Sequence, residues 1–257
     1  MAYNAKEGKQ HTSPFSIADI CQKKYMYEYR NTDNSIININ EIENGLGIIE
    51  EMFSEYRETL RKKAYYEENL NTNCFFELKE KAFWKGFISI QILRYPDILN
   101  NIKDYISTCV QEDLSDNSLR NVTLYNLLSL DKIVDTEQRT MFSDIMDSIE
   151  NMSIHLFVDK TKSLFTTDKA LTIQFIKQTL EYDYIYFPIT FDLAIVLANE
   201  KHSERLGKNR MHYFNTQQLD VFKKQMAATA KEWIYSPSPI SNKDIILIKE
   251  GRKNAVF

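Results

Sequence analysis

Between residues 153 and 198 the chain carries five short runs rich in β-branched and aromatic residues: Ser153 to Val158, Ser163 to Thr167, Leu171 to Ile176, Tyr184 to Ile189 and Leu193 to Ala198. Only turn residues separate them. A parallel pair needs a crossover of roughly a dozen residues, so runs spaced this closely have to pair mostly antiparallel. Pro188 cannot donate to a strand ladder and is expected at an edge or an irregularity.

Upstream the period changes from two to between three and four. Leu46, Ile49, Phe53, Tyr56 and Leu60 define one stripe of a long helix over 42–64, with Glu50, Glu51, Glu55 and Glu58 mostly on the opposite, solvent-facing side. A second helix reads from Phe76 to Leu93 with Phe76, Phe83, Phe87 and Ile90 on its stripe, and Pro96 stops it. Further helical patterns cover 98–110, 119–130 and 135–149. Before them, Lys24 to Arg30 and Ile36 to Ile39 flank a turn-rich segment and read as a hairpin. After the β-rich region, Asn215 with Gln218 three residues on has the form of a capping box, opening a helix to 234 with Leu219, Phe222, Met226 and Trp233 buried. Ser236-Pro237-Ser238-Pro239 breaks it, and Asp244 to Lys249 reads as a last strand.

The expected fold is therefore α+β: a helical first half packed on a small, mostly antiparallel sheet and closed by a C-terminal helix. It is read as one domain over 1–257, with a flexible polar segment at 1–15, a mainly helical region at 42–150, a β-rich region at 153–198 and the closing helix at 215–234.

The 32 basic and 36 acidic residues give a formal charge of −4, the wrong sign for coating a phosphate backbone over a wide face. Arg61-Lys62-Lys63 and Lys208-Asn209-Arg210 are short basic clusters read as solvated faces. Cys21, Cys74 and Cys109 form no CxxC pair, which fits free thiols. No run approaches the ~18 apolar residues of a membrane span, and the first residues lack an apolar signal region. A cytoplasmic, soluble protein is expected. The sequence contains no GxxxxGK[ST], HExxH or GxSxG motif and no spaced Cys/His zinc set. His11, His155, His202 and His212 are scattered and read singly as structural or exposed.

The anomaly is Arg94, which continues the Phe83-Phe87-Ile90 stripe. An inward guanidinium demands an anionic partner, and Gln91, three residues earlier, faces the same way. Asp168, ending the run Leu164-Phe165-Thr166-Thr167, is the internal candidate. It reads either as a turn-former whose side chain bonds the next backbone amides or as a general base or metal ligand, with Arg94 clamping an anionic substrate.

Several of these residues recur together: His11 and Pro14 with Tyr25 to Tyr29 after them, Gln91 with Arg94 and Pro96, Thr166-Thr167-Asp168, Phe187-Pro188, and Asn215 leading to Ala227, Ala230 and Tyr235-Ser236. In this order they resemble the bacterial family known only as domain of unknown function 4238. Thr167 stands where that family usually has Ser, Lys169-Ala170 where it has Asn-Pro, and a second His and an aromatic beside His11 are lacking. The resemblance implies that His11, Gln91, Arg94, Asp168 and Asn215 converge on one site, and it implies no activity.

Two functional expectations follow. In the first, the chain is an enzyme acting on a phosphate-containing substrate, a nucleotide or nucleic acid. His11 and Asp168 are then catalytic, Arg94, Gln91 and Asn215 bind substrate, and a divalent metal of unspecified ligands is the cofactor. In the second it is a protein-interaction module, in which Arg94 and Asp168 form a structural latch and the acidic helix offers a docking face. A third, a defence or mobile-element effector, rests on the Asn/Ile/Lys/Tyr-rich composition and on the orphan-like character of the family it resembles.

Overall fold

The computed structural model describes residues 1–11, 41–66, 75–93, 141–176 and 181–253. The fold is α+β, with helices and two mostly antiparallel sheets. The described residues divide into two compact units: 1–11, 59–66, 75–81, 151–176 and 181–253 form one, and 41–58, 82–93 and 141–150 the other. The expected hairpin at 24–39, the helices at 98–110 and 119–130, the start of the helix at 135–149, and the three cysteines lie outside the described residues.

Chain order gives β1 (Ala2–Asn4), β2 (Lys9–His11), α1 (Glu41–Tyr66), α2 (Leu78–Leu93), α3 (Met141–Glu150), β3 (Ser153–Val158), β4 (Thr166–Thr167), β5 (Thr172–Phe175), β6 (Tyr182–Pro188) and β7 (Leu193–Ala198). Then follow α4 (Ser203–Leu206), β8 (Met211–Tyr213), α5 (Thr216–Thr229), β9 (Trp233–Tyr235) and α6 (Asn242–Lys253).

In the first unit, a five-stranded sheet has the order β5-β6-β7-β3-β8, antiparallel except where β8 joins β3 in parallel. Its interior strands are the runs that read as strands without interruption. All six residues of β7 are buried, as a continuous apolar run covered on both faces requires. Pro188 is the last residue of β6, and the β5 register has already ended at Tyr186, so no β5 residue pairs with it.

The second sheet, β2-β1-β9-β4, corrects two expectations. Residues 1–11 are not a flexible tail: Ala2 and Tyr3 are apolar enough to be buried, and the Asn4 carboxamide accepts the N–H groups of Lys6 (3.0 Å) and Glu7 (2.9 Å), closing the turn to β2. The helix expected over 215–234 stops at Thr229, and Trp233 lies in β9, which pairs with β1 on one side and β4 on the other.

Residues 244–249 form helix, not strand. Ser241 and Asp244 cap its start reciprocally: the Ser241 N–H and hydroxyl donate to Asp244 Oδ2 at 3.4 and 2.7 Å, and the Asp244 N–H donates to Ser241 Oγ at 3.1 Å. Leu247, Ile248 and Gly251 then bury at helical spacing, whereas Ile246 stays exposed. Between α5 and α6, Lys223 is buried against Asp244 (2.9 Å) and over the Phe165 ring (4.8 Å).

In the second unit, Phe53 stacks on Phe87 (4.7 Å between centroids) and meets the edge of Trp84 (5.7 Å), while Tyr56 stacks on Phe83 (4.0 Å). The acidic residues Glu50, Glu51, Glu55 and Glu58 are exposed, as the α1 pattern predicts. The α2 pattern misleads in one respect. Phe87 and Ile90 of the expected stripe are buried, but Trp84, Ile88, Ser89 and Ile92, each at 0% exposure, are deeper, while Phe83 is half-buried and Phe76 precedes the helix. A helix covered on most of its circumference has no single inward direction, so the phase that pointed Arg94 inward loses its force; Arg94 itself lies outside the described residues. Among the described residues, no helix is long and apolar enough to cross a membrane.

Candidate functional site

Asp168 sits just beyond β4, in a turn where Ala170 takes a left-handed φ of 52°. Its Oδ1 accepts the Lys231 N–H at 2.9 Å, and Oδ2 accepts those of Glu232 (2.7 Å) and Trp233 (3.1 Å). Its own N–H donates to the Trp233 carbonyl at 3.2 Å. Hydrogen bonds to a charged acceptor are stronger than neutral ones, and here three converge on the segment that turns the chain from α5 into β9. The carboxylate is exposed, but its described partners are all backbone. The expected turn-former would bond the next backbone amides; here the carboxylate bonds amides 63 to 65 residues further along the chain instead.

His11 ends β2, in register with Ala2; Ala2 pairs with Tyr235, and Tyr235 with Thr166. One transverse row thus carries His11, Ala2, Tyr235 and Thr166, with His11 on one edge of the sheet and Thr166-Thr167-Asp168 at the other. Three inter-strand spacings put the backbones of His11 and Thr166 about 14 Å apart. Asn215 caps α5 as expected: its side chain accepts the Gln218 N–H (2.9 Å), and Gln218 Oε1 accepts the Asn215 N–H (3.1 Å). Gln91 is half-buried near the end of α2, in the other unit.

A second polar group escaped sequence reading. Ser153 and His155 point to one face of β3, and His212 of β8 joins them across the parallel pair. The Ser153 hydroxyl donates to the Ala198 carbonyl (3.2 Å), so its oxygen accepts from His155 Nε2–H (2.8 Å). His155 Nδ1 must then accept from His212 Nε2–H (3.2 Å), and this assignment fixes both tautomers. Phe157 stacks on the His212 ring at 4.8 Å. Burial, then His212, then Arg210 push His155 down to about 4; burial and Arg210 lower His212 as well. The signal in the sequence was the i, i+2, i+4 series Ser153-His155-Phe157, but its partner lies 57 residues away in another strand.

These shifts carry a pH prediction. Between the ordinary histidine value of 6.5 and about 4, the unfolded chain binds a proton at His155 that the folded one does not, so stability is complete above 6.5 and falls as pH drops through that window. The loss by pH 4 is on the order of 3 kcal/mol. Urea unfolding of wild type and His155→Gln from pH 7.5 to pH 4 checks it: the wild-type slope between 6.5 and 4 should flatten in the variant, and equal slopes would refute the assignment.

Two further acids are locally satisfied. Burial raises Asp159, but the N–H and hydroxyl groups of Thr161 and Ser163 outweigh it and hold the carboxyl below its usual range. Asp192 accepts from the Thr190 hydroxyl (2.5 Å) and the Tyr65 phenol (3.0 Å). Among the described residues, no group of three or more His, Cys, Asp or Glu side chains is placed to hold a metal ion.

The sequence model of one protein family, described as Protein of unknown function (DUF4238), matches residues 1–239. No curated protein and no solved structure matches the chain.

Proposed function

The chain belongs to the DUF4238 family, and from that premise we propose that it is a non-catalytic protein-interaction module in which Asp168 is a structural clasp. The observation that carries this reading is the commitment of both Asp168 oxygens to three backbone N–H groups. These take three of a carboxylate's roughly four acceptor positions. Asn215 is likewise engaged in its capping box. A docking face is available on α1, where Ile48 and Met52 are 54% and 41% exposed and lie one turn apart among Glu51 and Glu55. A surface of that kind complements a partner bearing basic residues around an apolar spot.

The alternative, an enzyme acting on a nucleotide or nucleic acid, requires Asp168 to leave its amides and take up a metal or a proton, with His11 on the far edge of the same sheet. Titration of Mg²⁺ and Mn²⁺, turnover on nucleotide, RNA and DNA panels, and thermal unfolding of Asp168→Ala and Asp168→Asn separate the two. The clasp reading expects Asp168→Ala to lose about 2 kcal/mol, or roughly 4–8 °C, with metal binding and turnover unchanged from wild type. Abolished metal binding or turnover in a variant that melts at the wild-type temperature would reverse the conclusion.

A further inference from the structure

Three consecutive N–H groups, those of Lys231, Glu232 and Trp233, aim at one point in the first unit, and Asp168 fills it. We propose that the 231–233 turn is an anion-binding cradle in its own right, with Asp168 as its resident intrachain ligand, and that it takes a small free carboxylate when that side chain is absent. The inference rests on the clasp reading and extends it, since a clasp alone needs no competence towards a free ion.

The position argues for specific recognition. The turn follows the end of α5, whose last carbonyls carry partial negative charge and repel an anion. Arg252 of α6 donates to the Ala230 carbonyl at 2.9 Å, offsetting that charge just before the first donor. The second and third donors share Oδ2 while the first takes Oδ1, so the cradle engages both oxygens of a planar carboxylate. The donors have supports besides the Asp168 side chain: Trp233 is paired within β9 to Asn4 of β1, and the N–H of Ala5 donates to the Glu232 carbonyl at 2.7 Å. Asp168 is exposed, so a hydrated ion can reach the place its carboxylate vacates.

Melting temperatures of wild type and Asp168→Ala in sodium formate, acetate, trimethylacetate and chloride at equal ionic strength test the cradle. The alanine variant should melt several degrees below wild type in chloride. Formate and acetate should recover most of that loss beyond any shift they give wild type, and bulky trimethylacetate should not. A destabilised variant that responds to all four salts as wild type does would overturn the cradle while leaving the clasp. A variant as stable as wild type in chloride would overturn both. Should Asp168→Ala fail to fold in chloride, a cooperative melting transition that returns in formate or acetate and not in trimethylacetate is expected, and its absence in every salt would overturn the cradle.

Discussion

Asn209→Ala should destabilise the protein by about 4 kcal/mol, lowering its melting temperature by roughly 8–16 °C. Asn209 is buried, and its carboxamide grips the backbone of one residue from both sides: Oδ1 accepts the Phe76 N–H at 2.9 Å, and Nδ2 donates to the Phe76 carbonyl at 2.8 Å. Alanine strands both groups away from water, at about 1–3 kcal/mol each. A second cost is conformational. Asn209 has a φ of 56°, a left-handed region that asparagine tolerates and alanine resists by roughly 1–2 kcal/mol. Asn209→Gly removes that strain and leaves the stranded pair, so it should fall between wild type and Asn209→Ala. Chemical denaturation of the three proteins checks the order. Asn209→Gly as stable as wild type would show that the grip contributes nothing.

The other large effect is expected at Gly251, where one methyl group has no room. A Cβ there would overlap the Lys224 carbonyl oxygen and stand 3.3 Å from the Ala227 Cβ, so α5 and α6 would have to separate. Overpacking of this kind typically costs about 1–3 kcal/mol, and movement of the buried Lys223–Asp244 pair between the same helices adds to it. Helix propensity works the other way by about 1 kcal/mol, so Gly251→Ala should lose about 2 kcal/mol net. Gly86 and Gly47 are the controls, because a Cβ at either meets nothing within 4 Å. Gly86→Ala and Gly47→Ala should gain about 0.5–1 kcal/mol each through propensity alone. Equal signs at the three glycines, read from melting temperatures, would contradict the close approach of the two helices.

Features specified by neighbouring residues were readable before any coordinates. Ser153–Val158 and Leu193–Ala198 are strands with the expected ends, the acidic side of α1 faces water, and Asn215 and Gln218 form the anticipated box. Each depends on a period or a contact within one turn. What failed depends on distant partners. Ala2-Tyr3-Asn4 is too short to announce a strand, and becomes one because Trp233–Tyr235 lies beside it. The same strand ends α5 early, since the chain from Trp233 onwards pairs with β1. Ile245 to Ile248 read as strand because four consecutive apolar residues carry no period, and the cap at Ser241 with the packing of α6 on α5 decided the outcome. The candidate site was legible as a set of residues and not as a place. Asp168 was expected as the anionic partner of Arg94, whereas its described partners are main-chain groups, which no side-chain pattern reveals. His155 and His212 meet only through the β3–β8 pairing.

The role of Asp168 as a clasp is tested most directly by amide hydrogen exchange at Lys231, Glu232 and Trp233 in wild type and Asp168→Asn under native conditions. The clasp predicts slow exchange at all three in wild type and, in the variant, a loss of protection at those of the three that face the asparagine NH2 in place of an oxygen, with the amides of α5 unchanged. Unaltered protection at those three positions in a folded Asp168→Asn protein would contradict it, and would return the carboxylate to the pool of groups free for chemistry.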